Sequence, residues 1–218
     1  MNAGSLLAVG PTDTVHRQDR PHRSCDALAR LRSGQPVVIR VSENHSPRYD
    51  LVCSADHLTT EATAFLIRHT SGFVQVALRD ERCDRLQLPP VAPGTDRMAS
   101  QQCVGVDAAT GIGTGISATD RTRTINVLGR PDAEPRELTR PGHVLPVRVS
   151  RDRGMHGDDT AAIALDLVER SGSIAAAFAT LVGTGAHRTD LPQQREVEEF
   201  AARHGLLVID RTEVGYTR

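Results

Sequence analysis

Lysine and tryptophan are both absent from this chain of 218 residues, and aromatic residues make up only 3% of it. Without lysine, no ε-amino group can form a Schiff base with a carbonyl substrate. All 26 fixed positive side-chain charges are therefore arginines, and a bound phosphate must be held by guanidinium groups, hydroxyls, imidazoles or backbone N–H groups. The shortage of aromatic rings argues against a stacking platform for nucleic-acid bases.

Long apolar segments and paired cysteines are missing as well. No run of about 18 apolar residues occurs, so the sequence predicts no transmembrane helix, and the first 14 residues lack the basic region of a secretory signal. The four cysteines include no CxxC pair, which favours reduced thiols over a zinc site or a disulfide framework. The net charge of -1 argues against general binding to nucleic acid or a membrane surface. We therefore expect a cytoplasmic protein.

The apolar pattern predicts one domain in which strands and helices alternate irregularly. Residues 1–23 are polar and aperiodic and are predicted to form a flexible arm, which leaves residues 24–218 as the folded domain. Such alternation predicts an α/β (α+β) fold with a mixed sheet flanked by helices. The predicted strands are 36–39, 50–54, 73–78, 104–107, 144–149 and 206–209, and the predicted helices are 24–32, 59–69, 120–127, 160–170 and 196–204.

A first polar segment, residues 113–124, combines small residues with Ser117, Asp120 and Arg121. Backbone N–H groups in such a loop can approach an anion at the start of a helix, and an arginine can add charge. The alternative is an ordinary glycine-rich turn with a helix N-cap. The glycine spacing fits neither a Walker loop nor a dinucleotide fingerprint.

A second segment, residues 140–143, has the sequence Arg-Pro-Gly-His. We predict a rigid turn before the strand at 144–149. A histidine held there is well placed for proton transfer, because its unperturbed pKa of about 6.5 suits that work. The alternative is that His143 is a surface loop residue.

A third segment, residues 153–160, places Arg153, His156, two aspartates and Thr160 just before a helix. This set of groups suits a phosphate or a metal ion. The alternative is that the acidic residues only complement the positive end of the helix dipole.

Taken together and in this order, these segments resemble 3,4-dihydroxy-2-butanone 4-phosphate synthase, an enzyme of riboflavin biosynthesis. The resemblance covers residues 27 to 218, nearly the whole chain. Its most specific motifs are the TGISATDR stretch at 114–121 and the RPGH stretch at 140–143. The other matching stretches are 36–39, 67–72, 85–89, 138–144 and 199–216.

The resemblance implies an α/β fold and a homodimer with active sites at the subunit interface. It also implies a sugar-phosphate substrate, since the family converts ribulose 5-phosphate to 3,4-dihydroxy-2-butanone 4-phosphate and formate. That reaction combines enolisation, loss of water, rearrangement and C–C cleavage, and Mg²⁺ assists it. General acid–base groups and a metal ion that stabilises enediolates serve such chemistry.

The chain departs from the family in an acidic loop. Where family members have Asp-Arg-Glu-Asn-Glu-Gly-Asp, residues 44–50 place His45 at the arginine position and Ser46 at the metal-binding glutamate, and only Asp50 survives. A hydroxyl is a poor substitute for a carboxylate ligand. We therefore name no cofactor firmly: Mg²⁺ or Mn²⁺ would need substitute ligands such as Glu43 or Asp158.

Two further family positions are changed. Gln75 stands where the family has a cysteine, and the late catalytic glutamate falls at Thr180 or Leu181. Arg153 and His156 keep the spacing of the family's arginine and metal-binding histidine.

The predicted catalytic residues are His143, His45 and Asp50. The main interpretation is a diverged lyase of a specialised, secondary-metabolite pathway such as antibiotic biosynthesis, which acts on a pentose-phosphate-derived or C-linked pentose substrate by enolisation, dehydration or C–C cleavage. The alternatives are the genuine synthase of riboflavin biosynthesis, and a non-catalytic paralogue that binds a sugar phosphate or a protein partner. The predicted substrate-binding residues are Arg153, His156, Thr160, Ser117, Asp120, Arg121, His69 and Ser71, and His156 is also the predicted metal ligand.

Overall fold

The computed structural model describes residues 20–41, 47–92, 100–151, 159–183 and 190–215. These ranges form six α-helices and eight strands. The helices are α1 (Arg20–Arg32), α2 (Thr60–His69), α3 (Asp80–Arg85), α4 (Ala118–Gly129), α5 (Thr160–Arg170) and α6 (Gln194–His204). The strands are β1 (Val37–Val41), β2 (Arg48–Ser54), β3 (Gln75–Arg79), β4 (Gln101–Gln102), β5 (Val106–Ala108), β6 (Leu138–Val149), β7 (Ala175–Thr180) and β8 (Leu207–Asp210).

The strands make one mixed sheet in the order β4-β6-β3-β7-β2-β1-β8, and β5 pairs with the first half of β6. The β1–β8 and β3–β6 pairs are parallel, whereas β1–β2, β2–β7 and β3–β7 are antiparallel. This confirms the predicted α/β class with a mixed sheet. No helix within the described ranges is both long and apolar enough to cross a bilayer.

Apolar side chains fill both faces of the sheet. Alternation along β2 sends Leu51 into a core beneath α2 and α4 and Val52 into a core beneath α1 and α5. Strand β7 consists mostly of alanine, and all of its residues except Thr180 are buried. Such small side chains let helices approach the sheet closely from both sides.

Helix boundaries follow the local signals in the sequence. Thr59 caps α2 by accepting a hydrogen bond from Ala62 N, and Ser117 caps α4 by accepting one from Asp120 N. Gly205 ends α6 in the left-handed conformation. Helix α1 begins at Arg20, inside the predicted arm; residues 1–19 lie outside the described ranges, so the arm stays a prediction.

The predicted turn at residues 140–143 is wrong. These residues belong to β6, a continuous strand of 12 residues. Val106 pairs with Val144 and Asp107 with Thr139, so residues 140–143 form an irregular, bulged part of the strand at a register shift opposite these two β5 residues. Three elements were not predicted at all: the short helix α3, the two-residue strand β4, and β7, whose alanines carry little strand preference.

Gly142 lies where two backbones approach each other too closely for any side chain. A Cβ atom there would lie 2.0 Å from the carbonyl carbon of Val106. We expect Gly142→Ala to lower the free energy of unfolding by about 3 kcal/mol, because the β5–β6 pair must separate. Chemical denaturation followed by circular dichroism measures this change.

Gly205→Ala is the matched control. Its φ is +63°, and no atom lies within 4 Å of the added Cβ, so only the left-handed backbone conformation opposes it, at about 1 kcal/mol. Equal losses in the two variants would contradict the close approach at Gly142.

Candidate functional site

A carboxylate–imidazole pair lies where β5 meets β6. The Asp107 carboxylate accepts a hydrogen bond from His143 N at 3.0 Å and lies 2.8 Å from His143 Nδ1. The Asp107 side chain is buried, whereas 40% of the His143 side chain is exposed. Because a carboxylate accepts, Nδ1 carries the proton and Nε2 stays available to exchange a proton with a ligand.

A glycine-rich loop packs against this pair. Asp120, in the first turn of α4, accepts hydrogen bonds from Gly113 N at 3.2 Å and Gly115 N at 3.0 Å. These N–H groups lower the pKa of Asp120 below its ordinary value. A Cβ at Gly115 would lie 2.2 Å from Asp107 Oδ2 and 2.7 Å from His143 Nδ1. The Asp120 carboxylate therefore organises the loop that encloses the pair.

Arg121 joins the same loop to the turn before β3. Its guanidinium donates to Ile116 O and Gly72 O, both at 3.0 Å, and burial lowers its pKa. The neighbouring Ser71 donates its N–H to Thr180 O and accepts from Phe73 N through its hydroxyl. Ser117, Asp120, Arg121 and Ser71 thus all make local structural contacts, and their contact with a substrate stays a prediction.

A second polar cluster surrounds Asp50, whose side chain is completely buried. Asp50 Oδ2 accepts from Thr160 Oγ1 at 2.9 Å and from Arg48 Nε at 3.2 Å, while Oδ1 accepts from Thr180 Oγ1 at 2.7 Å. Arg48 Nη2 also donates to Thr160 Oγ1. The structure thus brings together Asp50 and Thr160, two of the predicted site residues, and adds Arg48 and Thr180 to them.

The two clusters lie at the same end of the sheet. Asp50 pairs with Thr180 near the end of β7, and Gln75 pairs with Phe178 and Leu145 at the same end, so His143 lies just beyond these pairs. Strands β7 and β3 lie between β2 and β6, so three strand spacings of about 4.8 Å, about 14 Å in total, separate the strand of Asp50 from the strand of His143. Within one chain they are therefore separate groups.

The remaining predicted residues lie elsewhere. His69 ends α2 and packs among aromatic rings, with ring centroids 4.5 Å from Phe65 and 5.3 Å from Phe200. It also lines a cavity of about 220 Å³ between α2 and α6. His45, Arg153 and His156 lie outside the described residues, so their roles stay predictions.

Asp107 was not predicted as a site residue. One available signal was an acidic residue inside the apolar stretch VGVDAA, directly before a glycine-rich loop. From the sequence, Arg48 is a replaced carboxylate that makes the pocket more positive or else faces solvent, and the late glutamate of the family falls at Thr180 or Leu181. Their joint contact with Asp50 depends on the pairing of β2 with β7, which the sequence does not reveal.

The groups around Asp50 do not fit a divalent cation. Mg²⁺ prefers anionic oxygens with free lone pairs, whereas both Asp50 oxygens already accept hydrogen bonds and a guanidinium lies beside them. Across the part of the chain that the structure describes, no three His, Cys, Asp or Glu side chains cluster in a way that could hold a metal ion.

The fold and the two clusters define an α/β protein with an acid–base site suited to a small molecule. A family model described as 3,4-dihydroxy-2-butanone 4-phosphate synthase matches residues 25–215. The chain therefore belongs to the 3,4-dihydroxy-2-butanone 4-phosphate synthase family.

Relatives and solved structures agree with this assignment. The riboflavin biosynthesis protein RibBA of Salinispora arenicola is 36% identical over 185 residues, which are 84% of this chain and 43% of that protein. The RibBA protein of Nocardia farcinica is also 36% identical, over 84% of this chain and 44% of its own length. This chain thus spans less than half the length of these curated relatives.

Among solved structures, the 3,4-dihydroxy-2-butanone 4-phosphate synthase of Candida albicans aligns with a TM-score of 0.78 and 29% identity, over 87% of this chain and 93% of its own. A synthase in complex with two magnesium ions aligns with a TM-score of 0.77 and 29% identity, over the same shares of the two chains.

The lowered pKa of Asp120 predicts a pH-dependent contribution to stability. Because the folded-state pKa lies below the unfolded value, this stabilisation is complete above about pH 4 and is lost as the pH falls through the folded-state pKa. We expect Asp120→Asn to unfold at a lower temperature than the wild type at neutral pH, with a difference that shrinks in acid. Thermal denaturation between pH 2 and 7 measures it.

Asp26→Asn, at an exposed position on α1, is the control and should change little at any pH. A difference between Asp120→Asn and the wild type that stays constant down to the lowest pH would contradict the assigned role of the carboxylate.

Proposed function

We propose that this chain is a lyase that acts on a pentose phosphate, and that ribulose 5-phosphate is its substrate, converted to 3,4-dihydroxy-2-butanone 4-phosphate and formate. The observation that carries the proposal is the Asp107–His143 pair enclosed by the glycine-rich loop. Family membership and relatives named for riboflavin biosynthesis support the choice of substrate.

His143 is the acid–base group in this proposal. Enolisation begins when a base removes the proton from a carbon next to a carbonyl group. The free Nε2 of His143 accepts that proton, and Asp107 stabilises the resulting imidazolium through Nδ1. Asp107 is thus a positioning residue, since it acts on the substrate only through the imidazole.

A second candidate is a related lyase with a different pentose-derived substrate, in a specialised pathway. The observation that favours it is the pair of side chains around Asp50: Arg48 stands where the family pattern has a glutamate, and Thr180 is one of the two positions, with Leu181, at which its late glutamate falls. These replacements make the surroundings of Asp50 more positive, which suits a substrate with an additional anionic group. The wider family comparison favours the first candidate.

The first test follows formate release from ribulose 5-phosphate by the purified protein. We expect His143→Ala to lower kcat by a factor of about 10² to 10⁴, the usual contribution of a general base. Asp107→Asn should lower kcat similarly and shift the pH profile, because the imidazole loses its fixed tautomer. His57→Ala, which removes a half-exposed imidazole elsewhere, is the control.

The outcomes separate the two candidates. Formate and the four-carbon product at an ordinary enzymatic rate support the synthase. A folded protein that releases neither product from ribulose 5-phosphate rules out the synthase and directs the search to other pentose-derived substrates. A wild-type pH profile in Asp107→Asn would contradict the role of Asp107.

We further propose a homodimer in which the Asp50 cluster of one subunit meets the His143 pair of the other. The separation of about 14 Å within one chain supports this arrangement, because one small substrate must contact both groups. Phe73 and Ile116, about half exposed beside the glycine-rich loop, offer apolar surface for a second copy.

Complementation tests the shared site. Asp50→Asn and His143→Ala should each be nearly inactive alone. After the two are unfolded and refolded together, random pairing makes half of the dimers mixed, and each mixed dimer has one intact site, so about one quarter of the wild-type activity should return. No recovery, despite a dimeric mixture by light scattering, would place both groups of each site in the same subunit.

A further inference from the structure

Arg48 and Asp50 lie on the same face of β2 because they are two residues apart in a strand. Tyr49 between them points into the opposite core. The Asp50 side chain is completely buried, and 27% of the Arg48 side chain is exposed. A buried carboxylate needs a compensating charge and hydrogen-bond donors. Arg48 supplies the charge, and Arg48, Thr160 and Thr180 each donate a hydrogen bond to the carboxylate.

The Arg48 guanidinium also contacts a second side chain, that of Thr160. Arg48 Nε donates to Asp50 Oδ2, while Nη2 donates to Thr160 Oγ1. Thr160 in turn donates its proton to Asp50. Arg48 thus holds both the Asp50 carboxylate and the hydroxyl at the start of α5, so a guanidinium paired with a carboxylate is built into this corner of the site.

We infer that the guanidinium of Arg48 supplies the positive charge next to Asp50, Thr160 and Thr180 in place of a divalent cation, so that a sugar phosphate binds here without a metal ion. The identity of that ligand rests on the proposed function. The inference about the charge rests on the ion pair alone.

Electrostatic repulsion explains why the Arg48 guanidinium and a divalent metal ion exclude each other. Arginine stays protonated at every ordinary pH, so its charge cannot be removed to admit a metal ion. A divalent ion close enough to share a substrate oxygen with Arg48 is repelled by it. The solved synthase that aligns with this chain binds two magnesium ions. This chain instead carries the Arg48 guanidinium beside Asp50.

The first experiment titrates the protein with Mn²⁺ and follows free Mn²⁺ by electron paramagnetic resonance. It needs no turnover. Arg48→Glu reverses the charge and sets a second carboxylate beside Asp50, so we expect it to bind Mn²⁺ at least about tenfold more tightly than the wild type. Arg136→Glu, the same charge change at a side chain that is 83% exposed, should bind like the wild type.

The second experiment measures binding of ribulose 5-phosphate by isothermal titration calorimetry, once with a chelator and once with Mg²⁺. The inference predicts affinities that agree within about twofold, because the guanidinium does not depend on added metal. If the sugar phosphate binds in neither condition, the proposed substrate is wrong, and the Mn²⁺ comparison alone still decides the role of Arg48.

Two results would overturn the inference. One is Mn²⁺ binding to the wild type as tight as to Arg48→Glu; the other is sugar-phosphate binding that the chelator abolishes. Circular dichroism checks that each variant is folded. Where Arg48→Glu does not fold, Arg48→Gln removes the charge with less strain, and tighter Mn²⁺ binding than the wild type is expected of it as well.

Discussion

Carboxylates that are removed from water must receive hydrogen bonds or opposite charge from the protein, and this requirement shapes both polar clusters. Asp50, Asp107 and Asp120 are all buried. Asp50 takes a guanidinium and two hydroxyls, Asp107 takes the backbone and ring of His143, and Asp120 takes two glycine N–H groups. Each of these acids thereby constrains the conformation of a loop or of a strand end, because a carboxylate without partners in the folded protein would destabilise it.

The sheet brings these acids to one end. Strand β6 extends beyond β3 and pairs there with β5 through a register shift, and the Asp107 carboxylate contacts the backbone and the ring of His143 at this point. Glycine is required at residues 115 and 142 because side-chain and backbone atoms approach them to within 2.2 Å and 2.0 Å of where a Cβ would lie. The Pro-Gly pair at 141–142 looks like a turn signal in the sequence, but Gly142 is needed because β5 and β6 pack closely there.

Local signals in the sequence predict the elements whose boundaries depend on local bonds. Thr59 and Ser117 accept hydrogen bonds three residues ahead, and Gly205 adopts a left-handed conformation, so these helix ends could be predicted. The strand at residues 140–143 depends on Val106 and Asp107, more than 30 positions earlier. Proline and glycine favour a turn until that partner is known, and the alanines of β7 carry no periodic signal of their own.

Some residues of the candidate site could likewise be predicted from the sequence, whereas their contacts could not. His143 could be proposed from its motif, whereas its pairing with Asp107 could not, because a hydrogen bond across two strands leaves no trace in residue spacing. Asp50 could be proposed from the family pattern. Its contact with Thr180 depends on the register between β2 and β7, and that register is set by packing along both strands.

The position of Arg48 explains how a scaffold with a TM-score of 0.78 to a known synthase can carry a different charge arrangement. Residues that alternate on a strand can change independently, since side chains on one face pack little against those on the other. A residue that points to the α5 face of β2 can therefore exchange a negative charge for a positive one while Tyr49 and Leu51 keep the opposite core intact. The exchange alters the charge next to Asp50 and leaves the backbone of the sheet unchanged. Conservation of the fold therefore constrains the shape of this site much more strongly than it constrains the charge of the residue beside Asp50.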